Sequence, residues 1–311
     1  MRKKLRPLIL IFLFILIIFF TLFCLKRRIN PFKETKDFIV SHIRGTYKIK
    51  GYKAKSLIVV DRDTDDIFIS KKEKEKELPA SLSKLFVIDY ASHILDLDEK
   101  IKVKNDVLEL AKKGSSLANL STKTYSVHNI YAAMLVPSGN DAAYVLANYI
   151  GGKLNKKAKT KEAKIAVFIK SLNNYLQKNG YKDTVINEPS GFDLDSTTTV
   201  LDLKKCVDIL LKHDWFREIV SKSLYTAELP DGTFQTWKNT NVFLDKSSKH
   251  YNPGVIGIKT GSLNKEYNMV VLYKKNNREF LICSLGSTTN DLRYEDVEYV
   301  IESIDNSSKY K

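Results

Sequence analysis

A serine and a lysine stand three residues apart at the start of an apolar run in the stretch PASLSKLFV, at Ser81 and Lys84. On a helix, side chains three apart lie on one face and can touch. A lysine in such contact can take the serine's proton and activate the hydroxyl as a nucleophile. The alternative is a helix start, with Ser81 as its cap and Lys84 in solvent. The same spacing recurs at Ser262 and Lys265, so spacing alone leaves both interpretations open.

Two further motifs follow along the chain. The stretch PSGNDAA puts Ser138 and Asn140 on a loop that opens a helix. The stretch IKTGS ends a strand on Lys259, Thr260 and Gly261. Ser-x-x-Lys, Ser-x-Asn and Lys-Thr-Gly, in that order, form the signature of penicillin-binding proteins and class A β-lactamases. Each triplet alone is weak, but the ordered set at suitable positions is a strong signal.

From about residue 56 to residue 304 the chain resembles the low-molecular-weight penicillin-binding proteins that act as serine D-alanyl-D-alanine carboxypeptidases. The stretches PASLSKLF, SSLANLSTKTYSVHNIYAAMLVPSGNDAAYVLA, GYKDTVINEPSGFD and NTNVFL carry this resemblance. It implies an α/β (α+β) fold of the β-lactamase/transpeptidase type, a five-stranded antiparallel sheet flanked by helices. The active site would lie between the sheet and a helical lobe.

The resemblance also implies roles for the first two motifs. Ser81 would be the nucleophile and Lys84 the general base. Ser138 would relay the proton to the leaving D-alanine, and Asn140 would hold Lys84 and bond the substrate amide. A lysine ordinarily has a pKa near 10.4, so Lys84 must be made neutral, and we expect burial and the second cation, Lys259, to lower its pKa.

The third motif would bind the substrate. By the same resemblance, Lys259 and Thr260 would receive its terminal carboxylate, with Gly261 beside them. The backbone N–H groups of Ser81 and Ser262 would form the oxyanion hole. An acyl-enzyme on Ser81 would then be released by water in a carboxypeptidase, or by an amine in a transpeptidase. No cofactor or metal is implied.

Two positions depart from the patterns of related enzymes. After Lys-Thr-Gly the carboxypeptidase family usually has a threonine two places on, where this chain has Leu263, in a connection about one residue shorter. The departure affects the rim of the site beyond Ser262, on which substrate fit and turnover depend. Glu188 occurs where a β-lactamase would carry a deacylating glutamate, but Pro189 follows it in place of that family's Leu-Asn ending.

The N-terminus predicts a membrane anchor. Residues 7–25 form an uncharged run rich in Ile, Leu and Phe between two basic clusters. At 1.5 Å per residue the run spans roughly 28 Å, about one hydrocarbon core. It has no small-residue cleavage site, which favours an uncleaved signal-anchor. Seven basic residues flank the run, so the net charge of +15 falls to +8 for the remainder.

The predicted organisation follows from this segment and the motifs. We expect a cytoplasmic N-terminus at 1–6, a transmembrane helix at 7–25 and a stalk at 26–45. A catalytic domain at 46–305 and a polar tail at 306–311 would follow. The flanking charges orient the anchor only weakly, but a cell-wall substrate would put the catalytic domain outside the bacterial cell membrane.

Hydrophobic periodicity predicts the elements of that domain, and 43% hydrophobic residues are enough for a core. SLIVVD and DIFISKK should form a hairpin, residues 81–95 a helix, and IYAAMLV and AAYVLANYI two more. KIAVFIKSLNNYLQKNG, LDLKKCVDILLKH and DVEYVIESI are also helical in pattern. VIGIKT, NMVVLYKK and REFLICSLG should be strands, the last two joined across Asn276-Asn277. Strands at both ends predict one sheet on which the domain's ends meet.

The remaining features narrow the partners. Cys206 and Cys283 fall in apolar segments and Cys24 in the membrane run, so we expect buried thiols and no disulfide framework. The five histidines lack metal-ligand spacing. Lysines mixed with glutamates predict solvated faces and no nucleic-acid surface. The expected partners are peptidoglycan stem peptides ending in D-Ala-D-Ala, and β-lactams as covalent inhibitors.

Three alternatives to the carboxypeptidase stay open at this point. A β-lactamase on the same fold is disfavoured by the residues after Glu188. A transpeptidase or endopeptidase differs only in acceptor choice, which lies in loop shape. A poorly catalytic wall- or β-lactam-binding sensor is favoured only by the altered segment after Gly261.

Overall fold

The structure, a computed structural model, describes residues 51–307. The expected membrane run at 7–25, the stalk at 26–45 and most of the polar tail lie outside that range and stay predictions. Within the described range, no helix combines the length and the apolar character needed to cross a membrane.

Strands are found at both ends of the described chain and in two small two-stranded sheets between them. The strands of residues 51–307 are β1 (Ser56–Asp61), β2 (Asp66–Lys71), β3 (Lys100–Lys102), β4 (Thr124–Ser126), β5 (Leu224–Glu228), β6 (Phe234–Lys238), β7 (Val255–Leu263), β8 (Glu266–Lys275) and β9 (Arg278–Ser287). The five longest form one antiparallel sheet in the order β2-β1-β9-β8-β7. The predicted meeting of the two ends on one sheet is thus confirmed by the β1–β9 pairing.

Two predicted strand pairs are also confirmed. β1 and β2 form the hairpin expected at SLIVVD and DIFISKK. β8 and β9 are joined by Asn276 and Asn277, whose φ angles are 47° and 62°. Positive φ at both central residues is what a two-residue type I′ hairpin turn requires, and asparagine tolerates it better than most residues.

The sheet separates two apolar cores. Successive side chains of a strand point to opposite faces, so one strand can contribute to both. Ile58 and Val60 of β1 belong to the core shared with the helical lobe, whereas Leu57 and Val59 belong to the core under the C-terminal helix. All of β1 is buried, as expected for a strand covered on both faces.

Eight α-helices occur within residues 51–307: α1 (Ser83–Ser92), α2 (Asn105–Leu108), α3 (Val127–Leu135), α4 (Asn140–Leu154), α5 (Lys161–Lys178), α6 (Val200–Leu210), α7 (Asp214–Val220) and α8 (Asn290–Asn306). Hydroxyl side chains cap several of them. Ser126, Thr160, Thr199 and Thr289 each accept a bond from a first-turn backbone N–H of the helix that follows. Such a cap typically stabilises a helix by about 1 kcal/mol, so local chemistry sets these starts.

The helix predicted over residues 81–95 is shorter than expected. α1 begins at Ser83, after a 3₁₀ turn over Ala80–Leu82, and it ends at Ser92. Ile94 and Leu95 both bond back to the Ala91 carbonyl in a closing turn. Their apolar side chains contact the core from this turn, which is why they extended the apparent period.

Two small two-stranded sheets were not predicted. β3 pairs with β4 and β5 with β6, in strands of three and five residues. Strands this short give too few residues for an alternating pattern to stand out. Their positions depend on contacts with distant segments, such as the Tyr125 hydroxyl donating to Gln235 at 2.9 Å.

The two described cysteines are buried and unbridged, as predicted. Burial is the largest cause that raises the pKa of the Cys206 and Cys283 thiols, so both stay protonated near neutral pH. They serve as small apolar residues of the core.

Candidate active site

Ser81 and Lys84 are in contact. The Lys84 Nζ atom lies 3.1 Å from Ser81 Oγ. Ser81 sits inside the 3₁₀ turn, Leu82 is the residue that precedes α1, and neither element has a side-chain cap at its start. Lys84 is fully buried. The interpretation of Ser81 as a helix cap with Lys84 in solvent is therefore wrong.

Three oxygen atoms surround the Lys84 amine and fix its position. Besides Ser81 Oγ, its Nζ lies 2.7 Å from Asn140 Oδ1 and 2.6 Å from the Ser190 carbonyl oxygen. These two oxygens can only accept, so each takes an N–H of the amine. A neutral amine has two N–H groups and one lone pair. Its lone pair is then left for the Ser81 hydroxyl, in position to accept that proton.

The electrostatics agree with this geometry. Burial lowers the pKa of Lys84 from its ordinary value to about 7, while the Glu188 and Asp141 carboxylates act to raise it. Burial is the largest cause of the shift, and the mutual repulsion of Lys84 and Lys259 is seen in the lowered pKa of Lys259. A large share of the Lys84 amines is therefore neutral near pH 7.

The second motif lies between α3 and α4. Ser138 has a φ of 64° and is buried, and Asn140 is the first residue of α4. Gly139 has no room for a side chain, because a Cβ there would lie 2.6 Å from Ala118 Cβ. Within residues 51–307 the Ser138 hydroxyl makes no hydrogen bond. Asn140 thus accepts a hydrogen bond from Lys84, whereas Ser138 does not.

The third motif lies on β7, which is an edge strand of the sheet. A Cβ on Gly261 would lie 2.9 Å from the Pro79 carbonyl oxygen and 3.2 Å from Leu82 N. Only a glycine lets the strand pass this close to the turn that carries Ser81. The Thr260 and Thr240 hydroxyl groups are hydrogen-bonded to each other at 2.7 Å. All three motifs therefore meet at the junction of the sheet and the helical lobe.

Two further cations stand at this junction, and one was missed in the sequence. Lys259 is fully buried and its Nζ donates to the Thr260 carbonyl at 2.9 Å. Arg293 of α8 is also buried and donates to the Gly261 carbonyl at 3.2 Å and to Ser262 Oγ at 2.9 Å. Burial is the largest cause that lowers the pKa of Lys259, followed by repulsion from Lys84 and Arg293. A bound anion at the end of β7 would therefore reduce the repulsion between these basic side chains.

A buried amide joins the nucleophile turn to the sheet, and it too was missed. The Asn268 side chain donates to the carbonyls of Leu78 and Pro79 at 2.7 and 3.1 Å, and it accepts from Gly286 N at 2.8 Å. Ala80 follows with a φ of 49°, which is uncommon for a residue with a side chain. The bonds of Asn268 help to hold the backbone in this conformation just before Ser81.

Glu188 is turned toward its own loop. Its carboxylate accepts from Ser190 N at 2.8 Å, from Ser190 Oγ at 2.6 Å and from Phe192 N. These bonds shape the segment whose Ser190 carbonyl contacts Lys84. The carboxylate is therefore occupied in holding the loop, which does not fit the deacylating role considered for a β-lactamase.

The segment after Gly261 closes as a short hairpin. Leu263 pairs with Glu266 across Asn264 and Lys265, whose φ angles are 49° and 61°. This is again a two-residue type I′ arrangement, and it accounts for the shorter connection seen in the sequence. Within residues 51–307, no group of histidine, cysteine or acidic side chains could hold a metal ion.

Gly191 offers a test of how tightly the loop and the nucleophile turn are packed. Its φ is +79°, and a Cβ there would lie 1.9 Å from the Ala80 carbonyl oxygen. Gly191→Ala should lower the free energy of unfolding by about 3 kcal/mol, because backbone strain and a clash with Ala80 add. Urea unfolding followed by circular dichroism measures this loss.

A matched control separates the two contributions. Gly232 has a φ of +77° and no atom within 4 Å of an added Cβ. Gly232→Ala should therefore cost only the strain, about 1 kcal/mol. Equal losses in the two variants would mean that the contact of Gly191 with Ala80 contributes nothing.

Comparison with known proteins identifies the family of this chain. The family model described as D-alanyl-D-alanine carboxypeptidase (Peptidase_S11) matches residues 45–289. The chain is 24% identical over 260 residues to D-alanyl-D-alanine carboxypeptidase DacF of Bacillus subtilis, covering 81% of this chain and 62% of that protein. The chain thus spans about three fifths of that relative's length.

Solved structures show the same fold. The crystal structure of the Streptomyces K15 DD-transpeptidase matches with a TM-score of 0.70 and 25% identity, covering 80% of this chain and 96% of that one. Penicillin-binding protein D2 of Listeria monocytogenes, solved in an ampicillin-bound form, matches with a TM-score of 0.64 and 24% identity, covering 81% and 98%. The five-stranded sheet with its helices is therefore the transpeptidase-like α+β fold.

Proposed function

The chain belongs to the D-alanyl-D-alanine carboxypeptidase family, and on that premise we propose that it removes the terminal D-alanine from peptidoglycan stem pentapeptides. One observation carries the proposal. The Lys84 amine lies 3.1 Å from Ser81 Oγ, and its other two oxygen neighbours are acceptors. That arrangement belongs to a general base next to its nucleophile.

Acylation would proceed as follows. Ser81 Oγ attacks the carbonyl carbon of the D-Ala–D-Ala peptide bond while its proton moves to Lys84 Nζ. The negative charge on the carbonyl oxygen is stabilised by the backbone N–H groups of Ser81 and Ser262. The C–N bond then breaks, and the proton passes through the Ser138 hydroxyl to the leaving amine of D-alanine. An ester on Ser81 remains.

Deacylation would use the same groups. Water attacks the ester carbonyl and gives one proton to Lys84, which returns it to Ser81 Oγ as the ester bond breaks. The products are the shortened peptide with a free carboxylate and the restored serine. Asn140 would keep Lys84 in place through both steps and bond the substrate amide.

The end of β7 would select a substrate with a free terminal carboxylate. Lys259 and Thr260, with the buried Arg293 beside them, would surround that carboxylate. Its negative charge would favour the charged form of Lys259 and so offset the burial that lowers the pKa of this lysine. As an edge strand, β7 can also pair with an extended peptide, with Gly261 leaving room beside Ser81.

Lys259→Gln should therefore impair the peptide substrate selectively. We expect kcat/KM for a peptide ending in a D-Ala carboxylate to fall about 100-fold, the scale of a lost charge-assisted pair. The same peptide with a C-terminal amide, already a poor substrate, should be hydrolysed by the variant and the parent at similar rates. If both substrates lose equally, Lys259 acts on the fold or on Lys84, and not on the carboxylate.

The reaction should depend on pH through Lys84. A base must be neutral to accept the proton, and Lys84 is protonated below its pKa of about 7. The acylation rate should rise about tenfold per pH unit up to that value and level off above it. Stopped-flow acylation by a fluorescent penicillin between pH 5 and 9 measures this. A rate that stays flat down to pH 5 would contradict the assignment of Lys84 as the base.

The proposed setting is the outer face of a bacterial membrane. The uncharged run at 7–25 would anchor the chain, with 1–6 inside the cell, a stalk at 26–45, the catalytic domain at 46–305 and a polar tail at 306–311. β-Lactams would acylate Ser81 in place of the peptide and inhibit the enzyme. The ampicillin-bound form of the Listeria relative supports this for the fold.

A transpeptidase activity is the second candidate, because a protein named DD-transpeptidase shares 25% identity with this chain. The discriminating experiment gives the full-length chain a peptide ending in Lys-D-Ala-D-Ala, with and without glycine as an amine acceptor. Release of D-alanine without the acceptor supports the carboxypeptidase, whereas a glycine adduct alone supports transfer. The peptide ending in L-Ala-L-Ala is the control. If neither peptide releases alanine and Ser81 forms no penicillin adduct, both the carboxypeptidase and the transpeptidase proposals are overturned.

A further inference from the structure

A groove on the helical lobe, away from the motifs, is lined by an unusual number of lysines. It has a volume of about 750 Å³ and lies between residues 100–107, the C-terminal half of α4 and the start of α5. Seven lysines line it, and none of the described residues that line it is acidic. We call it the lysine groove.

The positive charge of the lysine groove is largely uncompensated. Lys153 pairs with Glu99 at 2.8 Å. Within residues 51–307 the other six lining lysines make no ion pair: Lys100, Lys102, Lys104, Lys156, Lys159 and Lys164. Like charges held around one cavity repel each other, and a bound polyanion would remove that cost. Most of these side chains are exposed and long, so they can close around an anion from several sides.

The floor of the lysine groove differs from its walls. Ile101, Val107 and Val145 make it apolar, and the Asn148 side chain lies among them. The Asn148 Oδ1 atom is buried and has no hydrogen-bond donor. An ionised phosphodiester has no hydrogen to give this oxygen. A hydroxyl group on a carbon chain would satisfy it and would also suit the apolar floor.

Two glycines in α4 make room for the lysine groove. A Cβ on Gly151 would lie 1.9 Å from the Lys164 carbonyl oxygen, so only glycine lets α5 approach so closely. Gly152 lines the groove itself, where a side chain would meet the Lys164 side chain at 3.4 Å. The backbone thus brings Lys164 to the cavity and leaves its centre open.

We propose that the lysine groove binds an anionic polymer in which phosphodiesters alternate with hydroxylated carbon units. The lysines would contact the phosphates, and the floor with Asn148 would contact the polyol. Asn140 and Asn148 are eight residues apart on α4, which is roughly 12 Å along the helix. The polymer would therefore bind without entering the active site, and this inference does not depend on the proposed function.

The test measures binding of poly(glycerol phosphate) to the full-length chain in a neutral detergent. One variant carries Lys102→Gln, Lys156→Gln and Lys159→Gln, and a matched variant carries Lys170→Gln, Lys178→Gln and Lys212→Gln, three exposed lysines outside the groove. We expect the groove variant to bind at least about tenfold more weakly and the matched variant less than twofold. Binding by the parent should weaken as salt rises.

Several outcomes would overturn the proposal. Equal losses in the two variants would mean that the polymer follows net charge alone. Competition by inorganic phosphate or by polyphosphate as strong as that by poly(glycerol phosphate) would remove the role of the hydroxyl and of Asn148. If the groove variant loses binding only to nanodiscs of phosphatidylglycerol, and not to poly(glycerol phosphate), the lysine groove is a lipid-contacting face. Both variants should keep the parent's melting temperature and its rate of labelling by penicillin, which excludes misfolding as the cause.

Discussion

Replacing Ser81 with alanine should reduce D-alanine release by a factor of about 10⁴ or more, to the level of the background. In the proposed mechanism Ser81 Oγ is the atom that forms the acyl-enzyme bond, and the proposed oxyanion donors and carboxylate site alone would give little turnover. Covalent labelling by a fluorescent penicillin should vanish as well. Released D-alanine and labelled protein on a denaturing gel are the two measurements.

A neighbouring serine provides the control. Ser83 is fully buried two residues later, and within the described chain its hydroxyl has no hydrogen-bond partner. Ser83→Ala should therefore leave both activity and stability near the parent's values, because no bond is lost. A Ser81→Ala protein that still forms a penicillin adduct would place the nucleophile elsewhere.

The second large effect is expected at Lys84. Lys84→Gln should lower the acylation rate by about 10³-fold or more, since the side chain left behind cannot accept the serine proton at neutral pH. The glutamine also reaches less far, which leaves the Ser190 carbonyl or Asn140 Oδ1 without its donor at a cost of about 1–3 kcal/mol in the free energy of unfolding. Stopped-flow labelling and urea unfolding separate the two losses.

An arginine at the same position distinguishes a base from a tether. Lys84→Arg keeps N–H donors for the two acceptor oxygens, but a guanidinium cannot give up its charge at working pH. If Lys84 only holds the loop, the arginine variant should recover most of the rate. We expect it to stay as slow as the glutamine variant, because the missing property is the lone pair.

The motifs and the main strands were predictable because their signals are local. Asn276 and Asn277 favour positive φ, which predicts their turn and therefore the register of the strands on either side. Ser81 and Lys84 lie one helical turn apart, so their contact needs only the backbone that their own segment adopts. The order of the strands along the chain then allowed the sheet to be predicted as a single one.

The missed features depend on segments that are distant in the chain. The sequence around Arg293, NDLRYED, looks like that around an exposed arginine on a helix. Its burial results from its contacts with β7. Asn268 lies within a strand, where an amide side chain usually weakens the sheet. Its role becomes clear only from the hydrogen bonds that it donates to the carbonyls of Leu78 and Pro79. The conformation of Ala80, which glycine would adopt more readily, has no signal in the sequence.

The pairing of β1 with β9 and the contact of α8 with β7 also bear on how the enzyme is made. Ser81 lies near the start of the described chain and Arg293 near its end, and the sheet between them closes only when the last strand is in place. Contacts so far apart in sequence slow folding, because closing a long loop costs entropy. A chain still emerging from the ribosome would carry Ser81 before Arg293 had been made, so the site that both residues border would be assembled only after α8 had been synthesised and had docked.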